Sequence, residues 1–344
     1  MYYNRKGNMK VIVDNKIPYI REALQKLADE VVYLPGKEFT PEVVKDADAL
    51  ITRTRTYCNR QLLEGSNVKF IGTATIGFDH IDTAYCKEAG IVWSNCPGCN
   101  AGGVEQYLHA VLLLLQRDRG IDLKNSTLGI VGVGHVGSRV ERMAKRLGMN
   151  VLRNDPPRAD QGETDFVDLK TLTEECDIIT FHTPLIREGI YKTYHLANSE
   201  FFDSLKKKPV VINTSRGEVV QTEAVLHALN QRKIKDAIID VWENEPNINL
   251  ELLDKVFIGT PHIAGYSANG KINATRMALE AFCNYFHLAP NFHLELPADP
   301  NAPYSDDEDT RILQQYNPYR DYKELRSSPE KFEQLRGDYP LRRE

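Results

Sequence analysis

The chain has 344 residues, more than one ordinary domain requires, which favours two domains with an appendage. Hydrophobic residues make up 42% and charged residues 26%, with 22 Gly and 17 Pro, a balance that excludes collagen-like, coiled-coil and wholly disordered classes. Against 48 acidic residues stand 43 Lys and Arg, and the net charge of −5 leaves no global basic field to draw the chain onto nucleic acid or an anionic membrane, so an anionic ligand must be met by local charge.

The longest aliphatic run, 110–115, is far short of the ~20 apolar residues of a membrane helix. The opening MYYNRKGNMK lacks an apolar signal core, so no export is expected. Cysteines at 58, 86, 96, 99, 176 and 283 are too scattered for a disulfide scaffold and fit a reducing, cytoplasmic compartment.

In chain order, short β-branched runs alternate with helical text: KVIVD (10–14), a helix near 18–29, VVYL (31–34), ALIT (49–52), KFIGT (69–73) and IVWS (91–94). Strands alternating with helices predict a parallel sheet. A Leu-rich stretch without Pro, 103–117, then predicts a helix at a domain crossing. TLGIVGVG (127–134) opens a second series, continued by NVLRND (150–155), DIITFH (177–182), PVVINT (209–214), DAIIDV (236–241) and VFIGT (256–260). That rhythm predicts a second doubly wound sheet. After residue 289 the composition changes: residues 290–344 hold seven of the 17 prolines, and 297–309 reads as a linker. A Ser-Pro start with Phe332 and Leu335 at helical spacing predicts a short docked helix within 328–344.

The strongest chemical signal is GVGHVG. Gly132, Gly134 and Gly137 form GxGxxG between a strand and a helix, the first for a tight turn, the second for close approach of a pyrophosphate, the third for helix–strand packing. His135 and Val136 open the helix whose free amides would face the phosphates. Asp155 ends the next strand 23 residues after Gly132, the offset at which a carboxylate reaches a ribose diol and repels a 2′-phosphate, so NAD is favoured over NADP. Arg158 is read as a surface arginine. Three further segments sit at strand ends: NTSRGEVV with Arg216, DVWENEP with Asp240 and Glu245, and GTPHIAGYS with His262. A cation for a carboxylate, a base for a hydroxyl proton and a carboxylate to orient that base are what hydride removal from a 2-hydroxy acid needs. CPGC (96–99) is read as loop packing, and His80 and His182 lack a ligand at i+3 or i+4, so no metal is expected.

NTSRG, ENEP and PHIAG, in that order behind GVGHVG and NDPPRA, resemble the D-isomer-specific 2-hydroxyacid dehydrogenases over residues 10–289. The resemblance implies a flavodoxin-like substrate domain (1–102 and 267–289), a Rossmann NAD-binding domain (103–266) and a linker with a C-terminal dimerisation segment (290–344). It implies Arg216 as substrate anchor, Glu245 as partner of the histidine and His262 as acid/base. At the cofactor it implies Asp155, Thr183, Thr214, Ser215, Asp240 and Gly265, and at the substrate Thr54, Thr75 and Tyr266. The RTR of Arg53 and Arg55 suits a phosphorylated 2-hydroxy acid. Phe78 departs from the small or hydroxyl residue expected in its loop. The ending FEQLRGDYPLRRE implies a homodimer in which Phe332, Leu335, Tyr339 and Leu341 dock on the partner subunit. Two other functions share these motifs: oxidation of another 2-hydroxy acid such as 3-phosphoglycerate, and NAD sensing without turnover.

Overall fold

A computed structural model describes residues 8–296 and 305–344. The chain divides into two compact units, Met1–Asn100 with Ser267–Asp299, and Ala101–Tyr266 with Pro300–Glu344. Residues 297–304 of the expected linker lie outside the described residues.

In the first unit five strands form one all-parallel sheet: β1 (Lys10–Asp14), β2 (Glu30–Leu34), β3 (Ala49–Thr52), β4 (Phe70–Thr73) and β5 (Val92–Ser94), in the order β2-β1-β3-β4-β5. This is the flavodoxin-like order. Side chains alternate between two cores, as a pleated strand covered on both faces requires. Val11 and Val13 join Phe70, Leu279 and Phe282 on one face, while Ile12, Leu50 and Ile71 join Val44, Leu62 and Cys86 on the other. The helix Ala268–Phe286, begun by the Ser267 hydroxyl accepting from the Gly270 amide, returns the chain to this unit and packs Phe282 and Tyr285 against Phe70.

The second unit holds β6 (Thr127–Val131), β7 (Asn150–Asn154), β8 (Ile178–Phe181), β9 (Val210–Asn213), β10 (Asp236–Ile239) and β11 (Ile258–Gly259), all parallel, ordered β11-β10-β9-β8-β6-β7. Strand order reverses beside β6. The crevice at the carboxyl end of such a reversal is where open α/β sheets bind ligands. The helix Ala101–Arg119 buries Tyr107, Leu108, Val111, Leu112 and Leu115 in this core, so its unbroken aliphatic text is a doubly covered helix.

The C-terminal segment corrects two expectations. Helical structure begins at Glu308, inside the expected linker, with Asp307 accepting from the Thr310 amide, and continues through Tyr319–Ser327 before the anticipated final helix, Phe332–Gly337. Its apolar residues, moreover, dock within the chain. Tyr316, Tyr322, Leu325 and Phe332 are buried in the core of the second unit, and the Tyr322 hydroxyl donates to the carbonyls of Leu253 and Val256. Leu335 and Tyr339 pack at its edge, whereas Leu341 stays 41% exposed. Arg342 is buried as well. It donates to the carbonyls of Ile263, Ala264 and Gly103 and to Gln106, the dense acceptor set that a buried guanidinium needs.

Truncating the fully buried Phe332 in Phe332→Ala should therefore destabilise this unit by about 3–5 kcal/mol. Denaturant unfolding followed by fluorescence reads the change, and an unaltered midpoint would mean that the segment is not part of the fold.

Candidate active site

The glycine turn follows β6 at the strand-order reversal. Gly132 has φ +87, and a Cβ there would come 2.8 Å from the His182 carbonyl oxygen; a Cβ on Gly137 would come 2.1 Å from the Gly132 oxygen. Both positions therefore require glycine. Gly134 differs: a Cβ would meet nothing within 4 Å, so the space above it is open, at the N-terminus of the helix His135–Arg146. Backbone amides, a positive helix end and free volume together suit a pyrophosphate. His135 is exposed and Val136 half-buried on the first turn of that helix.

Asp155 stands beside the turn. One carboxylate oxygen accepts from the Val133 amide at 2.8 Å and the other from the Arg158 amide at 3.2 Å, which fixes the side chain while leaving lone pairs for a ribose diol. The Arg158 side chain is engaged by Glu163 and the Val133 carbonyl. Thr183, after β8, has a buried hydroxyl with no hydrogen-bond partner among the described residues, the kind of orphan that a ligand satisfies. Thr214 is half-buried, with its hydroxyl 3.4 Å from His182 Nδ1, and Ser215 is buried with its hydroxyl on Asn213 Oδ1. Burial pushes the His182 imidazole down to about 3, so it is neutral. These residues fit a nicotinamide dinucleotide.

Arg216, Glu245 and His262 follow β9, β10 and β11, three adjacent strands of the same sheet edge. Arg216 is half-buried and donates to the Ser215 carbonyl at 2.8 Å. His262 Nδ1 lies 2.9 Å from Glu245 Oε2 and 3.2 Å from Oε1. The Trp242 amide donates to Oε1 at 2.9 Å. Burial works to raise the Glu245 carboxyl, but the His262 hydrogen bond and charge, the Trp242 amide and the Arg336 guanidinium outweigh it and hold the group below its ordinary value. Glu245 is thus an anion with its oxygens committed to orienting an imidazole.

Asp240 has a structural task besides the cofactor role implied for it. Its buried Oδ1 accepts from the Thr260 hydroxyl and the Ile263 amide, at 2.6 and 2.8 Å, and Oδ2 accepts from the Ala264 amide at 3.0 Å. The loop bearing His262, itself at φ 57, is tied down by these bonds and by its own amide on the Asp240 carbonyl. Gly265 and Tyr266, both half-buried, continue that loop, and the Tyr266 ring meets Tyr339 of the C-terminal segment edge-on at 6.2 Å.

In the first unit, the loop after β3 carries a half-buried Arg53 and exposed Thr54 and Arg55, braced by the buried Thr56 hydroxyl donating to the Gly36 carbonyl. After β4, the Thr75 hydroxyl bonds the Gly77 carbonyl and Thr73, and Thr73 in turn bonds His80. Phe78 is 46% exposed and packs on Trp93, so the ring is a loop contact of this unit. Cys96 and Cys99 are buried and form no disulfide; the Cys96 thiol, pushed up to about 12 by burial, donates to the Thr73 and Ala274 carbonyls. A thiol so held is packing, not redox chemistry.

Two features escaped sequence reasoning. His195 pairs with Glu243 at 2.7 Å, but Glu243 also accepts from the Thr222 amide, which makes this second imidazole–carboxylate pair a clamp on the helix Thr222–Asn230. Arg336 reaches Glu245 from 91 residues away, and no local spacing signals such a contact.

Residues 109–264 match the family model described as D-isomer specific 2-hydroxyacid dehydrogenase, NAD binding domain. An erythronate-4-phosphate dehydrogenase of Bacteroides fragilis is 61% identical over 342 residues, covering 98% of this chain and 97% of the relative. The enzyme so named in Porphyromonas gingivalis is 43% identical over 346 residues, covering 98% and 94%. Among solved structures, the NAD+-bound 3-phosphoglycerate dehydrogenase of Entamoeba histolytica is similar with a TM-score of 0.68 and 30% identity, over 84% of this chain and 99% of that one. A D-lactate dehydrogenase from Aquifex aeolicus complexed with NAD and lactic acid gives 0.65 and 26%, over 81% and 95%. The chain belongs to the D-isomer specific 2-hydroxyacid dehydrogenases, among the erythronate-4-phosphate dehydrogenases.

Proposed function

We propose that this chain oxidises 4-phospho-D-erythronate with NAD to 3-hydroxy-2-oxo-4-phosphobutanoate and NADH, a step of vitamin B6 biosynthesis. The observation that carries the reading is the Glu245–His262 pair, set with Arg216 on adjacent strand ends of the sheet that bears the glycine turn. Arg216 holds the substrate carboxylate in a bidentate grip and polarises the adjoining carbon centre. With Nδ1 engaged by Glu245, the imidazole of His262 presents Nε2 to the 2-hydroxyl and takes its proton, and the Glu245 anion stabilises the imidazolium that forms. NAD, when bound, supplies the acceptor for the hydride leaving the same carbon. Thr54, Thr75 and Tyr266 contact substrate in this reading, and Arg53 and Arg55 meet its phosphate. Thr183, Thr214, Ser215, Asp240 and Gly265 serve the cofactor.

The protein acts in the cytoplasm as a homodimer in this reading. Six buried cysteines outside any disulfide suit a reducing compartment. The likeness of FEQLRGDYPLRRE to a dimerisation segment supports the dimer through the side that docking within the chain leaves exposed, where Leu341 lies, and sedimentation of a monomer at micromolar concentration would end that part.

Absorbance of reduced nicotinamide, followed with NAD and either 4-phospho-D-erythronate or 3-phosphoglycerate, tests the reaction. Oxidation of the former should prevail and should rise with pH as the imidazole loses its proton. His262→Asn should lower kcat by at least ~10²-fold and abolish that limb; an intact rate and profile would remove His262 from the chemistry.

Asp155→Ala should narrow the preference for NAD over NADP, because the carboxylate that repels a 2′-phosphate is gone. A preference unchanged in the ratio of kcat/KM values would place discrimination elsewhere.

Arg53→Ala and Arg55→Ala should weaken kcat/KM on the 4-phosphate while sparing erythronate itself. A single charge-assisted phosphate contact is worth roughly tenfold or more. Equal loss on both substrates would end the phosphate role.

A further inference from the structure

Glu245 is approached from three directions. The Trp242 amide holds Oε1, His262 Nδ1 bridges both oxygens, and Arg336 Nη1 lies 3.3 Å from Oε2, the oxygen nearer the imidazole. Arg336 comes from the C-terminal segment, on the short helix Phe332–Gly337. Phe332 sits four residues earlier on the same helix face, fully buried, so the residue that anchors the segment also fixes where the guanidinium falls. The Arg336 side chain is half-buried and also hydrogen-bonds Tyr266, the tyrosine two residues beyond Ala264 in the loop that carries His262. The carbonyls of Ile263 and Ala264 in that loop are held in turn by Arg342 of the same segment. Two arginines of one segment thus grip the acid/base apparatus, one through its carboxylate and one through its backbone.

We propose that Arg336 is a positioning residue for the Glu245–His262 pair, so that docking of the C-terminal segment sets the proton affinity of the catalytic imidazole. A guanidinium stays charged throughout the pH range of catalysis, and it shares a carboxylate oxygen with the imidazole. A carboxylate serving His262 alone would stabilise the imidazolium more strongly; shared with Arg336, it orients the ring while stabilising the charged form less. The groups facing Glu245 and His262 are Arg336 with its neighbour Glu333, Tyr266, and the buried Asp240, whose carboxyl burial raises against the pull of His262. Among these, only Arg336 brings a fixed positive charge to the carboxylate. The proposal rests on His262 being the base of the reaction proposed above, and its test has an arm that needs no substrate.

That arm is an NMR titration of the imidazole ring protons, with the His262 signal assigned by its loss in His262→Asn. In Arg336→Met, which keeps the length of the side chain, the titration midpoint should move up by about half a pH unit or more relative to the parent. Arg336→Lys, which keeps the charge, should stay close to the parent. The second arm is kcat against pH for 4-phospho-D-erythronate oxidation: the acid limb of Arg336→Met should move by the same amount, with a loss at neutral pH that shrinks as pH rises, and with little change in KM for NAD. Phe332→Ala, which undocks the anchor, should reproduce the shift if the variant unit remains folded by circular dichroism. A titration midpoint in Arg336→Met that coincides with the parent's, or one displaced equally in Arg336→Lys, would overturn the proposal. A parent that fails to turn over the substrate while the NMR shift is present would contradict the substrate reading and leave Arg336 in its role.

Discussion

An imidazole takes a proton from an alcohol only when its tautomer and direction are already fixed, and in the proposed reaction both would depend on the contact of 2.9 Å between His262 Nδ1 and Glu245 Oε2. Neither partner could hold that geometry alone. Glu245 lies on an irregular stretch after β10, and His262 sits at a positive φ in the loop after β11. The parallel sheet brings the two strand ends side by side, and the surrounding hydrogen bonds remove the remaining freedom. A preorganised pair of this kind needs little rearrangement as charge develops during proton transfer.

Those restraints are polar and buried, which makes them demanding. Asp240 receives two amides and a hydroxyl of the 260–264 loop, and Thr260 continues the network to the buried Tyr107 hydroxyl on the long helix. Arg342 takes the outward carbonyls of the same loop. The backbone around His262 is therefore satisfied from both sides, by a buried carboxyl group at the end of β10 and a cation of the C-terminal segment. Loss of either would leave buried groups unpaired, a cost above that of an ordinary surface bond. The segment after residue 304 belongs to the energetics of the catalytic unit, whatever it contributes to association.

Local signals in the sequence carried much of this. The β-branched runs at 10–14, 127–131 and 210–213 are buried strands because only a sheet covered on both faces tolerates such continuous apolar text. Gly132 and Gly137 could be read because each requirement, a positive φ or a missing Cβ, acts within a few residues. Arg216, Glu245 and His262 were legible as polar residues at strand ends, and their shared sheet edge follows from strand order. The C-terminal helices were less legible: Glu308–Gln315 has a charged, weakly apolar text that its cap and its docking stabilise, and not its propensity. Arg336 and Arg342 could not be found at all. An arginine in FEQLRGDYPLRRE reads as solvated until the fold brings carbonyls and a carboxylate more than seventy residues distant against it. Asp240 shows the complementary case, a strand-end carboxylate whose ligand-like position conceals a bracing task.

The central claim is that Glu245 holds His262 as the Nδ1–H tautomer, leaving Nε2 as the base. Nitrogen-15 NMR of the histidine side chains in the parent and in Glu245→Gln measures this most directly. Above the titration of His262, the parent should show protonated Nδ1 and bare Nε2 at this residue, with a hydrogen-bonded Nδ1 proton shifted far downfield, and Glu245→Gln should lose that downfield proton together with most turnover. A His262 ring found as the Nε2–H tautomer in the parent, or a spectrum and rate unchanged in Glu245→Gln, would contradict the account.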